Sequence, residues 1–210
     1  EQYNKEYTPA SSFKICNSII GLESGILKDE NHVYQWDSVQ RQVEVWNKNA
    51  TLMDAYKNST VWYYQQLARD VGEEKMKLWL NKLNYGNKNS SGGIDQFWLT
   101  GDLRITPEQQ IDFLKKLVEH QLPISQHTYE VLKKIMVYEK TENNTIYAKT
   151  GWGTVENTDI GWFVGYIEIQ GNTFIFANCV LNTKMNNNDF PKSRIEITYD
   201  FLKELGVIKK

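Results

Sequence analysis

The chain has 210 residues, 40% of them hydrophobic and 24% charged, which suits one or two globular domains with a substantial core. With 24 basic against 26 acidic residues, a net charge of −2 and neither sign massed in a run, it lacks the basic stripe of a nucleic-acid binder. Its longest apolar stretches, such as 162–169, fall far short of the roughly 20 residues a membrane helix needs, so no membrane span is expected.

Residues 1–7 form a polar lead with no signal peptide at its start, so a mature or trimmed form is expected. Pro9 precedes Ser11, whose hydroxyl is placed to cap or open a helix running through Phe13, Ile15, Ile19, Ile20 and Leu22 towards Gly25. Residues 29–49 are polar with scattered Trp and read as loop and short turns. Helical blocks follow at 51–71 and 73–83. Thr106-Pro107-Glu108-Gln109 carries a helix-start signature: hydroxyl at the cap, Pro at the first position, Gln three residues after the cap. Ile111, Leu114, Leu117 and Val118 continue it at helical spacing. Ser125 opens a further helix carrying Tyr129, Leu132, Ile135 and Met136.

The pattern then changes. Residues 146–149, 161–169 and 173–181 are short and β-rich, and Gly171-Asn172 between the last two is a hairpin signal. Asn186-Asn187-Asn188 marks an exposed turn, and 193–205 is an amphipathic helix stopped by Gly206. The expected fold is α+β: a mostly antiparallel sheet flanked by the first and last helices, with an all-helical lobe beside it. Residues 1–210 are read as one unit, with 28–140 mainly helical and 1–27 and 141–210 holding the sheet. Cys16 and Cys179 each sit in an apolar run and read as two small buried side chains. His32, His120 and His127 are scattered without ligand spacing, so no metal site is expected.

Ser11 and Lys14 form S-x-x-K at a helix start. Residues three apart share a helix face, so the amine can reach the hydroxyl. A helix N-terminus adds a positive field and free backbone N–H groups, which favour a developing oxyanion. A serine needs such a neighbouring base to become a nucleophile. Alone the motif arises by chance in many helices. Lys149-Thr150-Gly151 ends a predicted strand and accompanies S-x-x-K in penicillin-recognising enzymes. It supplies a cation and a hydroxyl at a strand edge, with Gly151 leaving room for substrate against the backbone.

Further stretches follow in order: Pro9-Ala10-Ser11-Ser12-Phe13-Lys14, Ser59-Thr60-Val61, Tyr85-Gly86-Asn87, Phe97-Trp98-Leu99, Leu103-Arg104-Ile105-Thr106-Pro107 and Lys149-Thr150-Gly151-Trp152-Gly153. Over nearly the whole chain this series resembles the class D β-lactamases, the oxacillinase group. The resemblance implies the penicillin-recognising serine-enzyme fold. Members of that group carry further strands ahead of the serine motif, so N-terminal strands are expected to be missing here, with an open sheet edge.

The resemblance also implies roles. Ser11 attacks the lactam carbonyl of a small-molecule β-lactam substrate. Lys14 matches the lysine that CO2 (or bicarbonate) carboxylates to a general base, with no separate cofactor. Burial would favour this by disfavouring the charged amine, with Phe13, Val61 and Leu99 as an apolar wall. Trp98 matches the indole donor to that group. Ser59 relays a proton to the leaving nitrogen, assisted electrostatically by Lys149. The N–H groups of Ser11 and Trp152 match the oxyanion hole, and Arg194 with Thr150 matches the substrate-carboxylate site. Tyr85, Gly86 and Asn87 are read as a structural wall of the site, Gly86 in a left-handed conformation. A bacterial location, periplasmic or secreted, is implied as well. Without the resemblance, Trp98 reads as core and Arg194 as a surface charge at a helix start. A second reading is a β-lactam-sensing receptor domain that is acylated and not turned over, and a third is a cell-wall transpeptidase. Val61, where sensors tend to carry a polar residue, and Trp98 favour the hydrolase.

Overall fold

The computed structural model describes residues 3–183 and 189–209. The predicted turn at Asn186-Asn187-Asn188 lies outside the described residues. The polar lead is tied down at Tyr7, which exchanges backbone hydrogen bonds with Ile105 (3.0 and 2.9 Å).

A 3₁₀ turn at Ala10–Phe13 leads directly into helix α1 (Lys14–Glu23). Every residue of α1 from Lys14 to Leu22 is buried, so it is a central helix, not an amphipathic surface one. The long polar segment that follows holds only the two-residue strand β1 (Val33–Tyr34) and another 3₁₀ turn, before β2 (Ala50–Thr51) pairs with β1. The block predicted at 51–71 is two helices, α2 (Leu52–Lys57) and α3 (Val61–Val71). The break falls at Ser59, whose φ of 53° no α-helix tolerates. Helix α4 (Glu73–Lys82) follows after Gly72. Helix α5 (Pro107–Val118) starts as predicted: Thr106 Oγ1 accepts from the Gln109 N–H and Gln109 Oε1 accepts from the Thr106 N–H, each at 3.0 Å. Such a cap stabilises a helix by about 1 kcal/mol. Helix α6 (Gln126–Ile135) is capped by Ser125.

Strand β3 (Val137–Lys140) was not foreseen, because its four residues are all exposed and lack a buried alternation. Strands β4 (Asn144–Val155), β5 (Thr158–Ile169) and β6 (Asn172–Asn182) are each longer than their apolar stretches. All pair antiparallel in the order β3-β4-β5-β6. The hairpin residues are Gln170 and Gly171, with φ of 51° and 78°, and Asn172 already belongs to β6. Helix α7 (Phe190–Glu204) begins three residues earlier than predicted, so Arg194 stands in its second turn.

The sheet has two covered faces. Ile160, Trp162, Val164 and Tyr166 of β5 join the large core with α1 and the other helices, while Phe163 and Ile167 join a smaller cluster with Leu202 of α7. The period of two along β5 thus divides one strand between two cores. The large core continues into the 3₁₀ turn, and β4 and β5 both lie against that turn. This places the S-x-x-K motif at the junction of sheet and helices. Cys16 is buried and Cys179 half-buried, and both are free thiols.

Candidate active site

The 3₁₀ turn is held in an unusual backbone. Ala10, immediately before Ser11, has φ of 47°, a left-handed conformation that costs a non-glycine residue about 1–2 kcal/mol. Pro9 takes the cap position with no side-chain hydrogen bond, and the Ser11 hydroxyl does not cap the helix as one expectation held. It faces Lys14 instead, whose Nζ lies 2.8 Å from Ser11 Oγ.

Lys14 is fully buried. Burial pushes its amine well below the usual lysine range, and the nearby Lys149 charge pushes it the same way. The Tyr64 ring lies 5.1 Å from Nζ, and Ser18 Oγ hydrogen-bonds the Tyr64 hydroxyl at 2.9 Å, so α1 and α3 share the wall of this pocket. Val61, the first residue of α3, is half-buried; Leu99 is half-buried against the same core. Phe13 is buried, its ring 5.5 Å from that of Trp98.

Trp98 carries the most informative feature. It is fully buried, yet its indole Nε1 has no hydrogen-bond partner among the described residues. An N–H left unpaired in a core costs about 1–3 kcal/mol. A Trp present only for packing would more cheaply be Phe, so the orphan donor fits an acceptor that the protein chain itself does not supply. The segment bearing Trp98 is pinned by Thr8, whose hydroxyl lies 3.1 Å from the Trp98 carbonyl and 3.2 Å from that of Leu99. The Thr8 carbonyl in turn accepts from the Trp162 indole at 2.9 Å.

Ser59 sits on the loop between α2 and α3. Lys149 Nζ donates to Ser59 Oγ at 2.5 Å, bridging 90 residues of sequence. Lys149 also reaches the Thr150 carbonyl and hydroxyl at 3.2 and 3.3 Å, and the Tyr56 ring at 5.6 Å. Burial lowers its amine to about 7, with the Arg194 charge as a second cause. Lys149-Thr150-Gly151 does not end its strand: β4 continues to Val155, since Thr154 and Val155 pair onwards with Asp159 and Thr158. Gly151 also meets a close approach that its own stretch does not announce. A Cβ there would stand 2.9 Å from the Pro9 carbonyl and 3.0 Å from the Ser12 nitrogen, so glycine lets β4 press against the protein's own serine turn. Trp152, half exposed, follows directly, its indole on Asp159 Oδ1 at 3.2 Å.

Arg194 is buried, not a surface charge, and its Nε and Nη1 have no partner among the described residues. Its Cδ lies 3.4 Å from where a Gly161 Cβ would be, and Gly161 pairs with Trp152, so the guanidinium passes under the strand beside the motif. Burial disfavours its charge as well. A buried cation with idle donors awaits an anion.

Tyr85 stands behind the serine turn, while Gly86 and Asn87 lie against residues 102–105. The buried Tyr85 ring lies 5.4 Å from Phe13. Gly86 is left-handed (φ 51°), and a Cβ there would collide with the Arg104 carbonyl. The Asn87 side chain accepts from the Arg104 N–H and donates to the Asp102 carbonyl. Sequence reasoning missed Thr8, Ser18 and Tyr64: each lies in a run that reads simply as lead or core. Among the described residues no cluster of three or more His, Cys, Asp or Glu is arranged to hold a metal.

Residues 1–203 match the family model for the penicillin binding protein transpeptidase domain. The chain is 42% identical to the probable β-lactamase YbxI of Bacillus subtilis, over 98% of this chain and 74% of that protein. It is 40% identical to β-lactamase OXA-48 of Klebsiella pneumoniae, over 98% of this chain and 76% of that one. Among solved structures, the class D β-lactamase YbXI from Nostoc superposes with a TM-score of 0.93 at 43% identity, covering 98% of this chain and 85% of that one. The class D β-lactamase of Sebaldella termitidis gives a TM-score of 0.96 at 40% identity, covering 99% and 84%.

Proposed function

The chain belongs to the penicillin-binding-protein transpeptidase family and, within it, to the class D serine β-lactamases, which hydrolyse β-lactams; we propose that it does so through an acyl-enzyme on Ser11, with Lys14 carboxylated by CO2. The observation that carries this reading is the pair formed by a buried lysine 2.8 Å from Ser11 and a buried Trp98 indole without a partner. A carboxyl group on Lys14 would supply the general base that takes the Ser11 proton. The lowered Lys14 amine favours its formation, since only the neutral amine reacts with CO2. Trp98 Nε1 would hold that group by donating a hydrogen bond.

Ser11 Oγ then attacks the lactam carbonyl carbon while the Ser11 and Trp152 N–H groups receive the oxyanion. As the ring C–N bond breaks, Ser59 passes a proton to the nitrogen, and Lys149, 2.5 Å from Ser59 Oγ, steadies the charge. Arg194 and Thr150 bind the substrate carboxylate. Water, deprotonated in the same pocket, attacks the ester carbon and frees Ser11. Tyr85, Gly86 and Asn87 keep the wall of the site in place. Residues 1–210 act as one catalytic unit. We infer an exported bacterial enzyme, periplasmic or secreted, that confers β-lactam resistance.

Stopped-flow and steady-state hydrolysis of a chromogenic penicillin test the proposal. Many turnovers per enzyme with an adduct mapped to Ser11 are expected. A single burst equal to the enzyme concentration would instead fit a sensor.

A further inference from the structure

Ser11 is presented by a strained turn, and the hydrogen bonds that hold this turn lead away from the site. The Pro9 carbonyl accepts twice from Ser12, from its N–H at 3.1 Å and from its hydroxyl at 2.7 Å. These two bonds close the turn around Ala10, whose φ of 47° persists only where its surroundings fix it. A serine hydroxyl has one proton, and here the Pro9 carbonyl takes it. The Ser12 oxygen must therefore accept from elsewhere, and the donor is Gln110 Nε2 at 2.9 Å, contributed by α5 from 98 residues further along the chain. The same amide nitrogen lies 3.4 Å from the Tyr85 hydroxyl.

Gln110 is fully buried, and its Oε1 has no partner among the described residues. A buried amide with an idle oxygen is a poor packing choice, because an apolar side chain of the same shape would leave no acceptor unpaired. What the amide provides is its donor. By filling the acceptor side of Ser12 Oγ, it fixes the rotation of that hydroxyl and keeps its proton on Pro9.

We propose that Gln110 and Ser12 are positioning residues for the nucleophile: Gln110 orients the Ser12 hydroxyl, Ser12 clamps Pro9, and the clamped turn sets Ser11 Oγ against Lys14. This rests on the reading of Ser11 as nucleophile. Neither side chain touches substrate. Loss of the clamp loosens the placement of Ser11 Oγ, so the chemical step slows while the preceding noncovalent binding is unchanged.

The test measures the acylation rate constant and the noncovalent dissociation constant for one penicillin by rapid-quench mass spectrometry. The proteins are the parent, Gln110→Met, Ser12→Ala and the double variant. The adduct site in the parent is mapped first, and an adduct away from Ser11 would sink the nucleophile assignment and not the clamp geometry. The clamp predicts acylation slowed by about tenfold or more in each single variant at an unchanged dissociation constant. It also predicts a double variant no slower than the slower single one, because both changes break the same chain. Acylation within twofold of the parent in either folded variant would overturn the proposal, as would slowing in the double variant equal to the product of the singles. Thermal melting alone does not separate the cases, since a purely structural role also lowers Tm. If Gln110→Met fails to fold, Ser12→Ala, which removes a single oxygen, decides by the same criterion.

Discussion

Lys14 Nζ and Ser11 Oγ stand 2.8 Å apart across the junction of a 3₁₀ turn and a fully buried helix. The contact pairs the proposed nucleophile with a group whose charge the interior disfavours. Ser11→Ala removes one partner and leaves the packing of the turn in place, because the hydroxyl bonded to the Pro9 carbonyl is that of Ser12 and the Ser11 backbone is retained. The variant should fold, bind a penicillin noncovalently and show no acyl adduct by intact mass. A stoichiometric adduct on the variant would place the nucleophile elsewhere.

The two lysines predict a bell-shaped pH profile. Acidification protonates the Lys14 amine, and a protonated amine cannot be carboxylated, so activity falls on the acid side. Raising the pH through about 7 discharges Lys149 in the free enzyme, which weakens attraction of an anionic substrate. A bound carboxylate favours the charged lysine, so the alkaline limb of kcat should lie at higher pH than that of kcat/KM. Profiles of both parameters for one penicillin check this. Coincident alkaline limbs would rule out Lys149 as the group responsible.

Arg194→Ala should act on binding. The guanidinium is buried under β5 with Nε and Nη1 idle, so a substrate carboxylate would find donors already in place. Loss of a charged hydrogen bond costs roughly 1.5–3 kcal/mol, or about one to two decades in kcat/KM. Most of it should appear as a raised KM, since the contact is made in ground and transition states alike. An unchanged kcat/KM would show that the idle donors serve no substrate.

Trp98→Phe keeps the aromatic packing on Phe13 and removes the orphan N–H. In CO2-depleted buffer, removal of the unpaired donor offsets part of the cost of the smaller ring, so the variant should lose less stability there than in bicarbonate, where the parent donor has its acceptor. Its deacylation should slow more than its acylation, since ester hydrolysis needs the base to activate water. Rapid-quench separation of the two steps, with a denaturant melt alongside, measures both. A variant with an unaltered deacylation rate would leave the indole as mere core.

Much of this was legible in the sequence, for identifiable reasons. Helix starts carry chemistry that can be read locally, so the Thr106 cap was placed to the residue. The motif residues were legible because their order matches a family, and the structure pairs Ser11 with Lys14 and Ser59 with Lys149. What could not be read depends on approach between distant segments. Strand β3 has no buried face, and its pairing with β4 alone makes it a strand. The close approach at Gly151 comes from the Pro9 carbonyl 142 positions away in sequence, and the Ser12 hydroxyl meets Gln110 from across 98 positions. Arg194 looked like a surface charge because nothing in its own stretch announces that Gly161 lies over it.

The central claim is that a carboxylated Lys14 drives hydrolysis. It is tested most directly by steady-state turnover of a chromogenic β-lactam in CO2-depleted buffer, before and after bicarbonate is added. The buried, lowered Lys14 amine and the waiting Trp98 donor predict slow turnover that rises severalfold on addition and reaches many cycles per enzyme. A fast rate in depleted buffer that bicarbonate leaves unchanged would contradict the claim and make Lys14 act as a free amine.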